Sequence, residues 1–89
     1  MAKLEIYTKS WCPYCVRALS VLKSVGITDY DEISIDGQEM EMRQKLAQLT
    51  NGRSDVPQVF VDGKYIGDDD ALAGLAQSGQ LQTMLNGDA

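Results

Sequence analysis

A short alternating strand runs directly into a helix at the start of this chain, and that order decides most of what can follow. Residues 3–8 alternate, with Leu4, Ile6 and Thr8 on one face, as a half-buried strand requires. Residues 9–13 break the alternation, and Pro13 suits the first turn of a helix, where its missing N–H would have no partner anyway. Ala18, Val21, Leu22 and Val25 then recur at helical spacing, with Gly26 as the C-cap. A second strand is expected over residues 29–35, carrying Tyr30, Ile33 and Ile35. Strand, helix and strand in that order demand a right-handed crossover with the two strands parallel.

The rest of the chain completes a sheet. Gln38 to Thr50 reads as a helix with Met42, Leu46 and Leu49 on one face, ended by Asn51-Gly52. Residues 58–61 form a third strand, and Asp62-Gly63 is a type I′ hairpin signal leading to a fourth antiparallel strand at 64–66. Asp68, Asp69 and Asp70 crowd a helix start, where carboxylates suit the free N–H groups and the dipole. Leu72, Leu75 and Ala76 follow at helical spacing, Gly79 interrupts, and residues 81–85 make a last turn or two. The expected architecture is α/β: one domain over residues 1–89, a four-stranded mixed sheet with helices on both faces, order β-α-β-α-β-β-α. A chain of this size buries only roughly 60% of its unfolded surface, so the core is thin.

What the chain lacks narrows its chemistry. It has no histidine, which excludes Ser-His or Cys-His catalysis and His-ligated metal. Its only cysteines are Cys12 and Cys15, too few for a four-sulfur zinc site within one chain or for the disulfide framework of a small secreted domain. The net charge of −5 is unevenly spread: residues 1–27 are basic on balance, with Lys3, Lys9, Arg17 and Lys23 against Glu5, and the remainder is strongly acidic. Such a chain has no evident use for a phosphate backbone, so nucleic acid is not expected as a partner. No apolar h-region follows Met-Ala-Lys-Leu-Glu and no run is long enough to span a membrane. The reading is a soluble, cytoplasmic protein, a compartment in which a close cysteine pair is redox-active or metal-binding more often than a static staple.

Cys12 and Cys15 fall at the strand-to-helix junction, in Ser10-Trp11-Cys12-Pro13-Tyr14-Cys15. A thiolate at Cys12 meets unpartnered N–H groups and the positive end of the helix dipole. Lys9 and Arg17, three residues before and five after, add positive potential. Cys15 is one helical turn further in, close enough for a disulfide. Cys12 is therefore expected to be the exposed nucleophile and Cys15 the more buried resolving thiol. The residues alone also allow two neighbouring cysteines without a role, or half of an intermolecular zinc site.

Tyr7-Thr8-Lys9 before Cys12-Pro13-Tyr14-Cys15, Gly52-Arg53 before Val56-Pro57-Gln58-Val59-Phe60-Val61, and Ile66-Gly67 with Asp70 and Leu72 together closely resemble the dithiol glutaredoxins. The resemblance covers nearly the whole chain in order and spacing. It implies a thioredoxin-like fold and a glutathione-dependent thiol–disulfide oxidoreductase, with Cys12 and Cys15 catalytic, glutathione as reductant and no metal. It further implies glutathione contacts from Lys9, Tyr14, Arg43, Val56, Pro57, Asp69 and Asp70. Among these, Lys9 and Arg43 would meet the glycine carboxylate, Tyr14 would line the groove, and Asp70 would pair with the γ-glutamyl ammonium. The residues alone leave Pro57 open between a trans proline starting an edge strand and a cis proline; the resemblance implies cis, with the Val56 backbone facing the nucleophile. Trp11 would shape a protein-docking rim. The implied partners are glutathione and disulfide-bearing or glutathionylated proteins, met by a monomer.

The chain departs from the family pattern in its acidic residues. Gly67-Asp68-Asp69-Asp70-Ala71 stands where the family has Gly-Gly, a small or polar residue, and Asp-Asp, and Asp55 stands where threonine or serine commonly precedes Val-Pro. Like charges crowding the glutathione end are expected to weaken binding. The alternative is that Asp68 or Asp69 merely caps the helix and points outward.

Overall fold

Leu4 and Ile6 leave the first strand on one side and Tyr7 on the other, and each side meets its own helical layer. The computed structural model describes residues 2–86; Met1 and residues 87–89, at the ends of the expected domain, lie outside the described residues. The elements run β1 (Leu4–Thr8), α1 (Pro13–Ser24), β2 (Asp31–Ser34), α2 (Glu39–Leu49), β3 (Gln58–Val61), β4 (Lys64–Gly67), α3 (Asp69–Ser78) and α4 (Gln80–Leu85). The four strands form one mixed sheet in the order β2-β1-β3-β4. β1 pairs parallel with β2, Glu5 opposite Asp31 through Thr8 opposite Ser34. β1 pairs antiparallel with β3, and β3 with β4, with a register shift between Val59 and Phe60. At the hairpin Asp62 and Gly63 both have positive φ (51° and 78°), as a type I′ turn requires.

Two clusters make the core. Leu4, Ile6, Val59 and Val61 pack with Ala18 and Leu22 of α1, Leu72 and Ala76 of α3 and Leu81 of α4. On the other face Tyr7 and Phe60 pack with Ile35, with Leu46 of α2, and with Cys12, Cys15 and Val56. The Tyr7 and Phe60 rings meet edge to face at 5.6 Å. The cysteines thus join the core on the side opposite most of their own helix. α1 closes at Gly26 (φ 77°), where Ile27 N–H donates to Leu22 O at 2.9 Å and Gly26 N–H to Lys23 O at 3.1 Å.

Two expectations are corrected. The second strand covers Asp31–Ser34 and not 29–35. Ile35 N–H still donates to Thr8 O at 2.9 Å, whereas Tyr30 turns to pack against the first cluster. Leu49 is exposed (46%), and Thr50 is buried in its stead. The reason is helical phase: Met42, Leu46 and Thr50 step by four residues along one stripe, and Leu49 falls about 100° off the last of them. Thr50 satisfies its hydroxyl by donating to Leu46 O and accepting from Arg53 N–H at 2.9 Å.

Candidate active site

The chain reaches the site through the turn between β1 and α1. Ser10 N–H donates to both carboxylate oxygens of Asp36, at 3.1 and 3.2 Å, and its hydroxyl donates to Asp36 Oδ2. The Ser10 hydroxyl and N–H hold the Asp36 carboxyl below its ordinary value. Trp11 then adopts a left-handed φ of 60° and stands almost wholly in solvent (98%).

Cys12 is the N-cap of α1. Its backbone is extended (φ −114°, ψ 104°), Pro13 follows at the first helical position, and its Sγ accepts from Cys15 N–H at 3.3 Å. Sulfur therefore stands in the place usually taken by a serine or aspartate oxygen, aimed at an otherwise orphaned N–H. The same Sγ makes a long contact of 3.9 Å with Val56 O. The expectation of an exposed nucleophile needs correction: both thiols are buried, Cys12 at 7% exposure and Cys15 at 2%. Capping turns the Cys12 sulfur inward under the Val56 loop. Both cysteines are free thiols. Burial, then the hydrogen bond with Cys12, pushes the Cys15 thiol up to about 12, against a backbone hydrogen bond from Lys9 that lowers it.

The opposing wall is the segment before β3. The Val56–Pro57 peptide bond is cis. Arg43 Nη1 donates to Ser54 O at 2.8 Å, tying α2 to this loop. Behind it runs a chain of polar contacts. Tyr65 OH on β4 donates to Oε1 of the fully buried Gln58 at 2.7 Å, and Gln58 Nε2 donates to Asp55 O at 3.0 Å and Asp55 Oδ1 at 3.1 Å. Arg53 grips the Asp55 carboxylate with Nε at 3.2 Å and Nη2 at 2.6 Å, and reaches Asp68 Oδ2 with Nη1 at 3.0 Å.

Asp68 is the N-cap of α3, its Oδ1 accepting from Ala71 N–H at 3.1 Å. Ahead of it Gly67 has φ 131°, and a Cβ there would overlap the Ala71 side chain. Asp69 is buried (6%) and accepts from Arg17 Nη1 at 2.8 Å; Asp70, exposed, accepts from the same nitrogen. Burial works against the Asp68 charge, but Ala71 N–H and Arg53 outweigh it and hold the carboxyl below its ordinary value. Arg53 does the same for Asp55, and both arginines are raised in turn.

The structure thus brings Cys12, Cys15 and Val56 together, with cis Pro57 beside them. Tyr14 is exposed and Lys9 half-buried at the same strand-to-helix turn. Two other expectations change. The crowded carboxylates are each met by an arginine, so the expected repulsion is largely offset within the chain. Arg17, assigned to the thiol by its nearness in sequence, is engaged by α3 instead. Asp68 caps its helix, as the alternative reading held, yet it also pairs with Arg53 and does not point free. The sequence reading missed Arg53 and the Arg17 pairs. Arg53 lies two residues from Asp55, a visible cue; its bond to Asp68 and the Arg17–Asp69 bond span 15 and 52 residues, and nothing local announces them.

Comparison with known proteins agrees with this geometry. The family model described as Glutaredoxin matches residues 4–66. A probable glutaredoxin of Synechocystis is 42% identical over 85 residues, covering 96% of this chain and 94% of that protein. Glutaredoxin 3 of Escherichia coli K12 is 41% identical over 85 residues, covering 96% and 99%. Among solved structures, oxidized glutaredoxin 2 from Chlamydomonas reinhardtii superposes with TM-score 0.84 at 33% identity, covering 99% of this chain and 85% of that one. A buckwheat glutaredoxin–glutathione complex superposes with TM-score 0.84 at 29% identity, covering 98% and 79%. With a thioredoxin-like sheet, a cysteine-capped helix and near full-length relatives, the chain belongs to the glutaredoxin family of thiol oxidoreductases.

Proposed function

We propose that this protein is a glutathione-dependent thiol–disulfide oxidoreductase that reduces protein–glutathione mixed disulfides and protein disulfides through Cys12. The observation that carries the reading is the Cys12 sulfur at the cap of α1, accepting from Cys15 N–H at 3.3 Å. That N–H and the N-terminal end of α1 face the sulfur, a setting for an exchanging cysteine that needs no histidine. The Cys12 thiolate attacks the glutathione sulfur of a mixed disulfide. A Cys12–glutathione disulfide forms, and the client sulfur leaves as a thiolate and takes up a proton. A second glutathione thiolate attacks the bound glutathione sulfur, releasing oxidised glutathione and restoring Cys12. On a protein disulfide, Cys12 attacks one client sulfur, forming a Cys12–client disulfide and freeing the first client thiol; Cys15 then attacks the Cys12 sulfur, displaces the second client thiolate and leaves a Cys12–Cys15 disulfide for two glutathiones to reduce. Its raised pKa keeps Cys15 from competing before Cys12 has reacted.

The remaining contacts belong to the same proposal. The Val56 backbone, beside cis Pro57, pairs with the glutathione cysteine. Lys9 and Arg43 meet its glycine carboxylate, and Tyr14 lines the groove. Asp70 takes the γ-glutamyl ammonium, while Asp69, buried against Arg17, acts by holding that first turn in place. Relatives matching over most of the chain support one glutaredoxin domain; the proposal extends to a cytoplasmic monomer acting on client proteins.

A coupled assay with glutathione, glutathione reductase, NADPH and a small mixed disulfide tests the reading. The wild type should turn over, and Cys12→Ser should abolish all activity. Cys15→Ser should retain deglutathionylation and lose protein-disulfide reduction. If Cys15→Ser loses both, the roles are wrong. If the protein turns over with thioredoxin reductase and not with glutathione, the reductant is wrong.

A further inference from the structure

Arg53 stands between the two segments that wall the thiol on its far side. Its fork takes both oxygens of Asp55, one residue before Val56, and its remaining nitrogen takes Asp68 at the start of α3. Asp55 is anchored from behind by Gln58, and Gln58 by Tyr65 of β4. Asp68 is anchored by Ala71 N–H. One guanidinium thus joins the Val56–Pro57 loop to β4 on one side and to α3 on the other. The loop holds Val56 O 3.9 Å from the Cys12 sulfur.

We propose that Arg53 is a positioning residue for thiol exchange: through Asp55 and Asp68 it sets the distance and orientation of the Val56–Pro57 loop relative to Cys12. The acidic departures at positions 55 and 68 are the two ends of this latch. Arginine suits the task because its planar fork holds one carboxylate with two nitrogens while a third reaches another; a lysine ammonium has no such geometry. Loss of the latch leaves the helix cap on the Cys12 sulfur intact and frees only the wall opposite. The effect therefore falls on substrate binding and on access to the thiol, not on the chemical step.

The proposal rests on the thiol–disulfide reading, and two measurements separate their failures. The first is steady-state turnover of a glutathionylated peptide. Arg53→Gln and Asp55→Asn should each raise KM about fivefold, the size expected from one charge-assisted contact, with kcat within about twofold of wild type. The double variant should be no worse than Arg53→Gln, because that single already cuts the Arg53–Asp55 connection which Asp55→Asn removes. Arg53→Lys should recover less than half of the loss. The second is alkylation of Cys12 by iodoacetamide at neutral pH, which needs no glutathione. Arg53→Gln should speed it by about threefold, as an opened wall exposes a buried thiol. Wild-type KM and wild-type alkylation in Arg53→Gln would overturn the proposal, whatever happens to Tm, as would additive losses in the double variant. A wild-type protein inert towards glutathione substrates would sink the functional reading, and the alkylation rates alone would then decide the role of Arg53.

Discussion

Arg17, on the exposed side of α1, donates to the buried carboxylate of Asp69 at 2.8 Å and so pins the helix that carries the thiols to the first turn of α3. α1 and α3 also share the first core cluster, through Ala18, Leu22, Leu72 and Ala76. Removing Arg17 leaves Asp69 nearly buried and unpaired, which costs more than removing both partners. Arg17→Ala should lower Tm by a few degrees, and Arg17→Ala/Asp69→Ala should recover part of that loss. Thermal unfolding followed by circular dichroism reads the difference. A double variant less stable than the sum of the singles would contradict it.

Gly67 should tolerate no side chain. Its φ of 131° is left to glycine, and a Cβ would run into that of Ala71. Gly67→Ala should lose about 2–4 kcal/mol, measured by urea denaturation. Adding Ala71→Gly removes the overlap but not the backbone conformation, so it should restore a part only.

Trp11 tests the turn before the nucleophile. At φ 60° with a side chain in solvent, its ring contributes little packing to the folded state. Trp11→Gly relieves the left-handed backbone but gains freedom in the unfolded chain, and stability should stay within about 0.5 kcal/mol of wild type. Trp11→Val, β-branched at the same φ, should lose about 1 kcal/mol.

Stability should fall in acid through three carboxylates. Asp36, Asp55 and Asp68 are all held below the ordinary value of 3.8. A depressed carboxyl contributes stability that is fully present above its unfolded value and is lost as pH falls through the folded one. Tm should therefore be insensitive to these three groups near neutrality and drop below about pH 4. Asp36→Asn should flatten part of that drop. An unchanged acid slope in Asp36→Asn would show that its bonds to Ser10 do not persist in solution.

The two thiols should label at very different rates. Cys15 is lifted from 9.0 to about 12, so it stays protonated through neutral and mildly alkaline pH. Its contribution to stability is present below its unfolded value and is lost as pH rises from there towards the folded one. Mass spectrometry after brief iodoacetamide treatment at pH 8 should find Cys12 modified well ahead of Cys15. Equal labelling would reject the assignment of roles.

The elements were legible wherever local chemistry announces itself. Pro13 opens α1, the Asp62-Gly63 pair turns the hairpin, and the cysteines fall at a helix start because the strand pattern ends just before them. Less legible was what depends on phase or on distant partners. Leu49 and Thr50 exchange places because a three-residue step and a four-residue step both look helical on paper. β1 lies beside β3 as well as β2, and only the folded sheet brings the Tyr7 and Phe60 rings together. A count of charges saw a repulsive run at 68–70. It could not see Arg17 and Arg53, whose pairing depends on the docking of α1 and the Val56 loop against α3.

Cys12 gives one sulfur two duties, since the atom expected to exchange disulfides also closes the first turn of α1. Whatever bonds to that sulfur changes the position and the acceptor strength of the atom offered to Cys15 N–H. The bonding state of that sulfur and the local stability of the first turn are then linked quantities in the thermodynamic sense: a change in one is felt by the other through the Cys15 N–H contact. A substitution in the first turn of α1 should therefore reach the Cys12 sulfur without touching either thiol.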